Sequence, residues 1–230
     1  MTIGLMFFSL LVAVIVWWLM RQTLDEPWHA EVVPEVRVGL VTQPTAKVAL
    51  WVFLGVASSL FVLFASAYVM RLDLTDWSPI PRPRFLLVNT VFLVGASLAM
   101  QWTVYAARRA DAGNVRRGLA ASGLLTFAFL AGQLYVWKQY HDAGFLLTSS
   151  AATAFFYLFT AVHGLHVLGG LVAWARALLR VRRGADAARM RLACELCATY
   201  WHYLLAVWVL LYALLVSEDL GLAICSATPL

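Results

Sequence analysis

Hydrophobic positions along the chain gather into six long runs, at residues 3–20, 48–70, 85–107, 118–137, 143–175 and 192–217. A helix rising 1.5 Å per residue needs about 20 apolar residues to cross roughly 30 Å of hydrocarbon. All six runs are near or above that length. The first five contain no Asp, Glu, Lys or Arg, and the sixth contains only Glu195. Polar residues do not alternate with apolar ones as they would in a strand, and no repeat is visible. The pattern predicts an all-α, polytopic transmembrane helix bundle with six spans.

Between the runs lie connections with breaker chemistry. The longest covers residues 21–47 and carries Pro27, Pro34 and Pro44; the next contains Pro79-Ile80-Pro81-Arg82-Pro83, which cannot continue a helix. Gly113-Asn114 and Arg183-Gly184 mark two further expected breaks. Thirteen Lys and Arg residues fall in the first, third and fifth connections, against four in the second and fourth. Basic residues stay on the cytoplasmic side. The odd connections are therefore expected inside and both termini outside. The first run has no basic segment before it and no small-residue cleavage site after it, so it reads as a retained helix rather than a signal peptide.

Composition narrows the picture further. The 230 residues are 63% hydrophobic and 13% charged, with a mean hydropathy of +0.80. A water-facing surface requires about 25% charged residues, which excludes a soluble globular protein. Ten Trp, thirteen Phe and eight Tyr exclude disorder and suit aromatic belts at membrane interfaces. A net charge of +5 raises a nucleic-acid reading. That reading fails, because the basic residues sit in short connections rather than along one face.

Polar residues within the runs are the candidates for chemistry, since burying them costs free energy unless they are paired or used. His163-Gly164-Leu165-His166 in the fifth run places two imidazoles three residues apart, on one predicted face. Gly164, Gly169 and Gly170 are expected to admit a neighbouring helix. In the sixth run Glu195 precedes Tyr200-Trp201-His202-Tyr203 and Trp208, and His202 lies two turns beyond Glu195 on the same side. Three histidines allow either a three-imidazole metal site or hydrogen bonding within the bundle; no metal site is assigned. Cys194-Glu195-Leu196-Cys197 has redox spacing but lies inside an apolar helix, which favours packing. Gly55, Gly95, Gly123 and Gly132 read as helix-packing positions. No nucleophile–base set or phosphate loop is present, so no catalytic residue is assigned.

These motifs closely resemble subunit III of the haem–copper terminal oxidases. His163, Gly164, His166, Val167 and Gly169 match that family's His-Gly-x-His-Val stretch. Glu195, Tyr200, Trp201, His202, Val207 and Trp208 match its following helix, with Tyr203 in a Phe position. Leu86-Leu87-Val88-Asn89-Thr90 resembles the start of another family helix, and Gln133 resembles a Gln in the next. The likeness covers about residues 47–217. It implies an extra N-terminal helix and cytoplasmic loop at 1–46, a five-helix core at 47–217 and a short periplasmic tail at 218–230.

The resemblance further implies a subunit with no catalytic centre and no cofactor of its own, haem and copper belonging to partner subunits. It implies packing beside subunit I, with subunit II and other respiratory subunits in the complex, in the bacterial inner membrane. It also implies bound phospholipid, with Arg176, Arg180, Arg182 and Arg183 as headgroup candidates. The complex would reduce oxygen to water with proton pumping. A related accessory protein of nitric oxide reductase is the alternative, and a small membrane transporter a distant one. Two departures stand out: Ala57 and Leu205 occupy positions where the family carries carboxylates, which puts a role in proton uptake at those positions in doubt.

Overall fold

The computed structural model describes residues 45–72, 77–78, 85–184 and 186–226. Among them are five helices: α1 (Thr45–Arg71), α2 (Phe85–Arg108), α3 (Ala112–Asp142), α4 (Ala151–Arg182) and α5 (Ala187–Ser226). All five are long and apolar enough to cross a membrane. Hydrocarbon offers no hydrogen-bonding partner, so the backbone must satisfy itself, and a helix does this within one segment. The first predicted span, residues 3–20, lies outside the described residues.

The observed helices overrun the apolar runs at their ends. α3 begins six residues before the predicted start and ends five after the predicted end, and α4 continues through Arg176 and Arg180 to Arg182. Charged residues end a hydrophobic stretch without ending a helix, because Arg, Lys and Gln are themselves good helix formers. At the start of α4 the error runs the other way. Residues 143–149 form turns, Gly144 takes φ +83°, and Ser150 caps the helix by accepting from the Thr153 amide at 3.2 Å. At the far end α5 stays helical to Ser226, through most of the segment expected as a tail.

The α2–α3 break also differs from expectation. It falls at Arg109–Asp111, with Ala110 at φ +55°, whereas Gly113-Asn114 lies inside the first turn of α3. The cap decides the position. Asp111 accepts from the Asn114 amide at 3.0 Å and from its side chain at 2.6 Å, the usual chemistry of a helix start. The α4–α5 turn falls as expected at Arg183-Gly184, Gly184 taking φ +70°.

Packing follows a ring. α2 lies along α3, α3 along α4, α4 along α5 and α5 back along α2, while α1, among the described helices, leans only on α4 and α5. The ring's core includes Leu93, Met100, Leu119, Phe129, Trp201 and Leu204, all fully buried. A smaller cluster of Phe61, Tyr68, Phe159 and Leu211 joins α1 to α4 and α5.

Glycine sets the closest approaches, though not at every position expected. A Cβ on Gly123 would strike the Trp174 ring, one on Gly132 the Asn89 amide and one on Gly170 the Tyr200 ring. Gly95 stands close to Leu125. By contrast, Gly55, Gly164 and Gly169 meet nothing within 4 Å among the described residues, so none of the described helices approaches closely there.

Two outcomes follow from this packing. Gly123→Ala should lower thermal stability by about 1–3 kcal/mol through overpacking, while Gly164→Ala should raise it by up to about 1 kcal/mol through helix propensity. Thermal unfolding in detergent, followed by tryptophan fluorescence, reads both signs. The Asn114 backbone amide, then its side chain, holds the Asp111 carboxyl below the ordinary carboxylate range. Its contribution to the α2–α3 turn is therefore present above that range and lost as pH falls through the lowered value. Protection of the Asn114 amide from hydrogen exchange, relative to its intrinsic rate at each pH, should fall over that acid window, and Asp111→Ala should remove that change in protection.

Candidate functional site

Each motif residue of α4 and α5 has a definite neighbour. His163 is fully buried, its ring 5.1 Å from that of Trp208 and 5.8 Å from that of Phe129 between centroids. Neither of its ring nitrogens has a hydrogen-bond partner among the described residues. His166, one turn on, turns elsewhere. Its ring lies 5.2 Å from Phe61 and 6.3 Å from Phe53, both on α1, and its Nδ1 donates to the Val162 carbonyl at 2.8 Å. The two imidazoles thus enter different surroundings instead of sharing a face, because the side of α4 between them meets α1 on one flank and the ring interior on the other.

His202 occupies a third environment. It is exposed on the outside of α5, with Nδ1 on the Ser97 hydroxyl at 2.5 Å and Nε2 on Gln101 Oε1 at 3.0 Å, both from α2. Among the described residues, no group of three or more His, Cys, Asp or Glu side chains is placed to hold a metal ion. Cys194 and Cys197 are free thiols buried in the core.

Glu195 was expected at membrane depth and instead lies near the basic end of the bundle. It meets Arg191 Nε at 2.9 Å, Lys47 Nζ at 3.4 Å and Arg108 Nε at 3.8 Å, so one carboxylate ties together α1, α2 and α5. Its side chain is 18% exposed against 39–55% for the three cations. Single pairs this open contribute about 0–1 kcal/mol each; their sharing of one acceptor fixes geometry more than it adds energy. The expected stripe from Glu195 to His202 does hold, since both reach residues of α2 that are themselves seven apart, Arg108 and Gln101.

A polar feature of the interior takes up the motif residues Trp201, Trp208 and Thr90 in pairings that the motifs alone do not indicate. Trp208 Nε1 donates to Thr90 Oγ1, Trp201 Nε1 to Thr126 Oγ1 and Trp137 Nε1 to Thr160 Oγ1, each at 3.0 Å. Each threonine hydroxyl donates in turn to a carbonyl four residues back in its own helix: Thr90 to Leu86 at 2.8 Å, Thr126 to Ser122 and Thr160 to Phe156 at 2.7 Å. A hydroxyl that has given away its proton has lone pairs left to accept an indole N–H. Three interhelical clamps result, joining α2 to α5, α3 to α5 and α3 to α4. The available signal was slight: Thr126 is the lone threonine of its apolar run, but the run at 85–107 also holds Thr103 and that at 143–175 also holds Thr148 and Thr153. Asn89 Nδ2 also meets Gln133 Oε1 at 3.3 Å in the buried seam between α2 and α3, so two residues singled out separately in the sequence are one pair. Tyr200 completes the set by donating to the His166 carbonyl at 2.9 Å.

A family model described as "Cytochrome c oxidase subunit III" matches residues 1–217. The chain belongs to that family. A protein of Nocardia farcinica (strain IFM 10152), described as a probable cytochrome c oxidase subunit 3, is 33% identical over 155 residues, which are 66% of this chain and 76% of that one. Cytochrome c oxidase subunit 3 of Bacillus subtilis (strain 168) is 30% identical over 172 residues, covering 70% and 81%. The Synechocystis sp. (strain ATCC 27184 / PCC 6803 / Kazusa) protein of the same name is 30% identical over 168 residues, covering 70% and 71%. Family membership makes the chain a subunit of an oxidase complex of the respiratory chain. Within this subunit III, Ala57 is 4% exposed and Leu205 packs against the core. Both departures from the family pattern therefore present apolar side chains to apolar surroundings.

Replacing one clamp acceptor tests whether these bonds hold the bundle. Thr126→Val preserves shape while leaving the buried Trp201 indole N–H without a partner, which costs about 1–3 kcal/mol. A lowered unfolding midpoint is expected, with Thr126→Ser close to the parent; equal midpoints for Val and Ser would show that the clamp contributes nothing.

Proposed function

We propose that the chain is a non-redox subunit III of a bacterial haem–copper oxidase, packed against subunit I in the inner membrane and stabilising it. The observation that carries this reading is the family match together with an interior whose polar groups engage one another in pairs and clamps. The positions where the resembling family carries carboxylates are Ala57 and Leu205, so the contribution is to the assembly and its lipids rather than to proton uptake there. Oxygen reduction to water, with proton pumping, belongs to the complex, and its haem and copper to the partner subunits.

The same reading assigns orientation and extent. Lys47, Arg108, Arg109, Arg116, Arg117 and the arginines from Arg176 to Arg191 lie toward one end, while Arg71 and Lys138 lie toward the other. That asymmetry supports a cytoplasmic basic end with the C-terminus outside. Residues 1–46 are assigned to an additional membrane helix and its cytoplasmic loop, which puts the N-terminus outside as well, and 47–217 to the subunit III core.

A phospholipid seat on α4 belongs to this proposal. Leu165, Leu168 and Val172 are 67%, 51% and 54% exposed, and their spacing leads down one side of the helix to Arg176, which is exposed as are Arg180, Arg182 and Arg183. Acyl chains would lie along the leucines, over the open Gly164 and Gly169, with the phosphate among the arginines. Of the motif residues His163, His166, Glu195, Tyr200, Trp201, His202 and Trp208, none is assigned to a reaction; they hold the helices that present this seat.

Affinity purification of the full chain from its own membranes tests the proposal. Haem-bearing oxidase subunits should come down with it, and haem and copper should leave with those subunits on dissociation. Metal or haem retained by the isolated chain would overturn the reading. Arg176→Gln and Arg180→Gln should each weaken retention of anionic phospholipid about 5-fold, at about 1 kcal/mol per basic residue, read by native mass spectrometry; an unchanged lipid count would remove the seat.

A further inference from the structure

One polar group on the outer surface remains half used. In a neutral imidazole one nitrogen donates and the other accepts. Nε2 of His202 faces the Gln101 carbonyl oxygen, so Nε2 carries the proton, and Nδ1 accepts from the Ser97 hydroxyl. That chain satisfies Ser97 and His202 completely. Gln101 is different: its oxygen is committed, while its amide nitrogen donates to nothing among the described residues. The relay ends in two N–H donors.

Depth makes those donors significant. Ser97 is the thirteenth residue of the 24 in α2, and His202 the sixteenth of the 29 in the membrane-length stretch Ala187–Leu215 of α5. Both lie near the middle of their helices, where acyl chains supply no acceptor. Glu195, by contrast, has its cations at the bundle end. The surface around Gln101 is otherwise apolar and open. On α2, Val94, Leu98 and Tyr105 are 38%, 65% and 54% exposed at spacings of three and four residues through Gln101. On α5, Val209 is 50% exposed and Ala206 is exposed, following His202 at the same spacing. α1 and α2 make no close backbone approach, so among the described residues nothing covers this side of α5 between them.

We infer that the outer face of α2 and α5 centred on Gln101 docks a membrane helix of another subunit of the complex, one that presents a hydroxyl, carbonyl or carboxyl acceptor at mid-bilayer. Small Ala206 beside exposed Leu98 lets such a helix approach closely, and the amide supplies the polar contact that fixes its register. A lipid on this face would leave the donors unpaired; a partner helix does not. The inference rests on the subunit reading above and adds to it the contact face and the chemistry of the contact. It is separate from the lipid seat, which lies on α4.

Photo-crosslinking in native membranes decides the matter. A benzophenone amino acid placed at Leu98 or at Ala206 should join the chain to a second, larger-mass protein subunit, whereas the same probe at Leu165 on α4 should give lipid adducts. Gln101→Leu should dissociate the chain from the purified complex about 3- to 15-fold more readily as detergent is raised, the range expected for one interhelical polar contact in a membrane. Lipid adducts alone at Leu98 and Ala206, or crosslinks only to another copy of this chain or to residues 1–44 of the same chain, would overturn the inference. So would protein crosslinks from Leu165 in a chain that still purifies with the haem-bearing subunits, and in that case the subunit reading stands. If no oxidase subunit purifies with the chain at all, both fall together.

Discussion

Inside a membrane a polar group has no solvent to fall back on, and the rest of this bundle is arranged around that constraint. Four helices form the ring, and two of its joints, with a third link across it from α3 to α5, are made by the same device: a tryptophan donating to a threonine that donates to its own backbone. The device works because each hydroxyl offers one proton and two lone pairs. The proton goes to a carbonyl four residues back, which holds the side chain in one rotamer and aims its lone pairs at the neighbouring helix. Large indole rings fill the space around each bond. Packing and hydrogen bonding are thus supplied by the same side chains, and neither has to be arranged separately.

His163 departs furthest from this scheme, both its ring nitrogens being unpartnered among the described residues, while Asn89 and Gln133 each leave one atom, Oδ1 and Nε2, unused beside the bond between them. The histidine is buried as deeply as the clamp residues, yet aromatic rings face it where an acceptor or donor would otherwise stand. His166, only three residues away, bonds its own helix. Identical side chains on one helix therefore meet opposite treatment, set by whether α1 or the ring interior lies opposite them.

Much of the architecture was legible in the order of residues, because hydrocarbon imposes a length on every span. The five described helices fall on the five predicted apolar runs they cover. Their ends were less legible, since Arg176 and Arg180 close a hydrophobic window while continuing the helix. The cap at Asp111 outweighed the more conspicuous Gly113-Asn114 as the break. Glycines show the limit most clearly: Gly123 and Gly170 stand against aromatic rings, and Gly164 and Gly169 stand against nothing among the described residues. Sequence spacing places a residue on a face but does not say which face a neighbour will cover. For the same reason the pairing of Asn89 with Gln133 was visible only as two separate motif residues, and Glu195 was read as deep although its three cations lie toward the end of the bundle.

The matched seven-residue intervals on α2 and α5 have a consequence for motion. Gln101 meets His202 and Arg108 meets Glu195, so two antiparallel helices are pinned at two points about 10 Å apart along their length, at 1.5 Å per residue. Sliding one helix past the other by a single turn would move both pairs out of reach together, and no intermediate offset restores either. The two contacts act like the teeth of a ratchet with only one engaged position. One turn from Gln101 stands Ser97, which already holds the other nitrogen of the same imidazole, so His202 is gripped at two successive turns of α2. These contacts favour one register at the α2–α5 joint, so a movement of this subunit that kept them would carry both helices together.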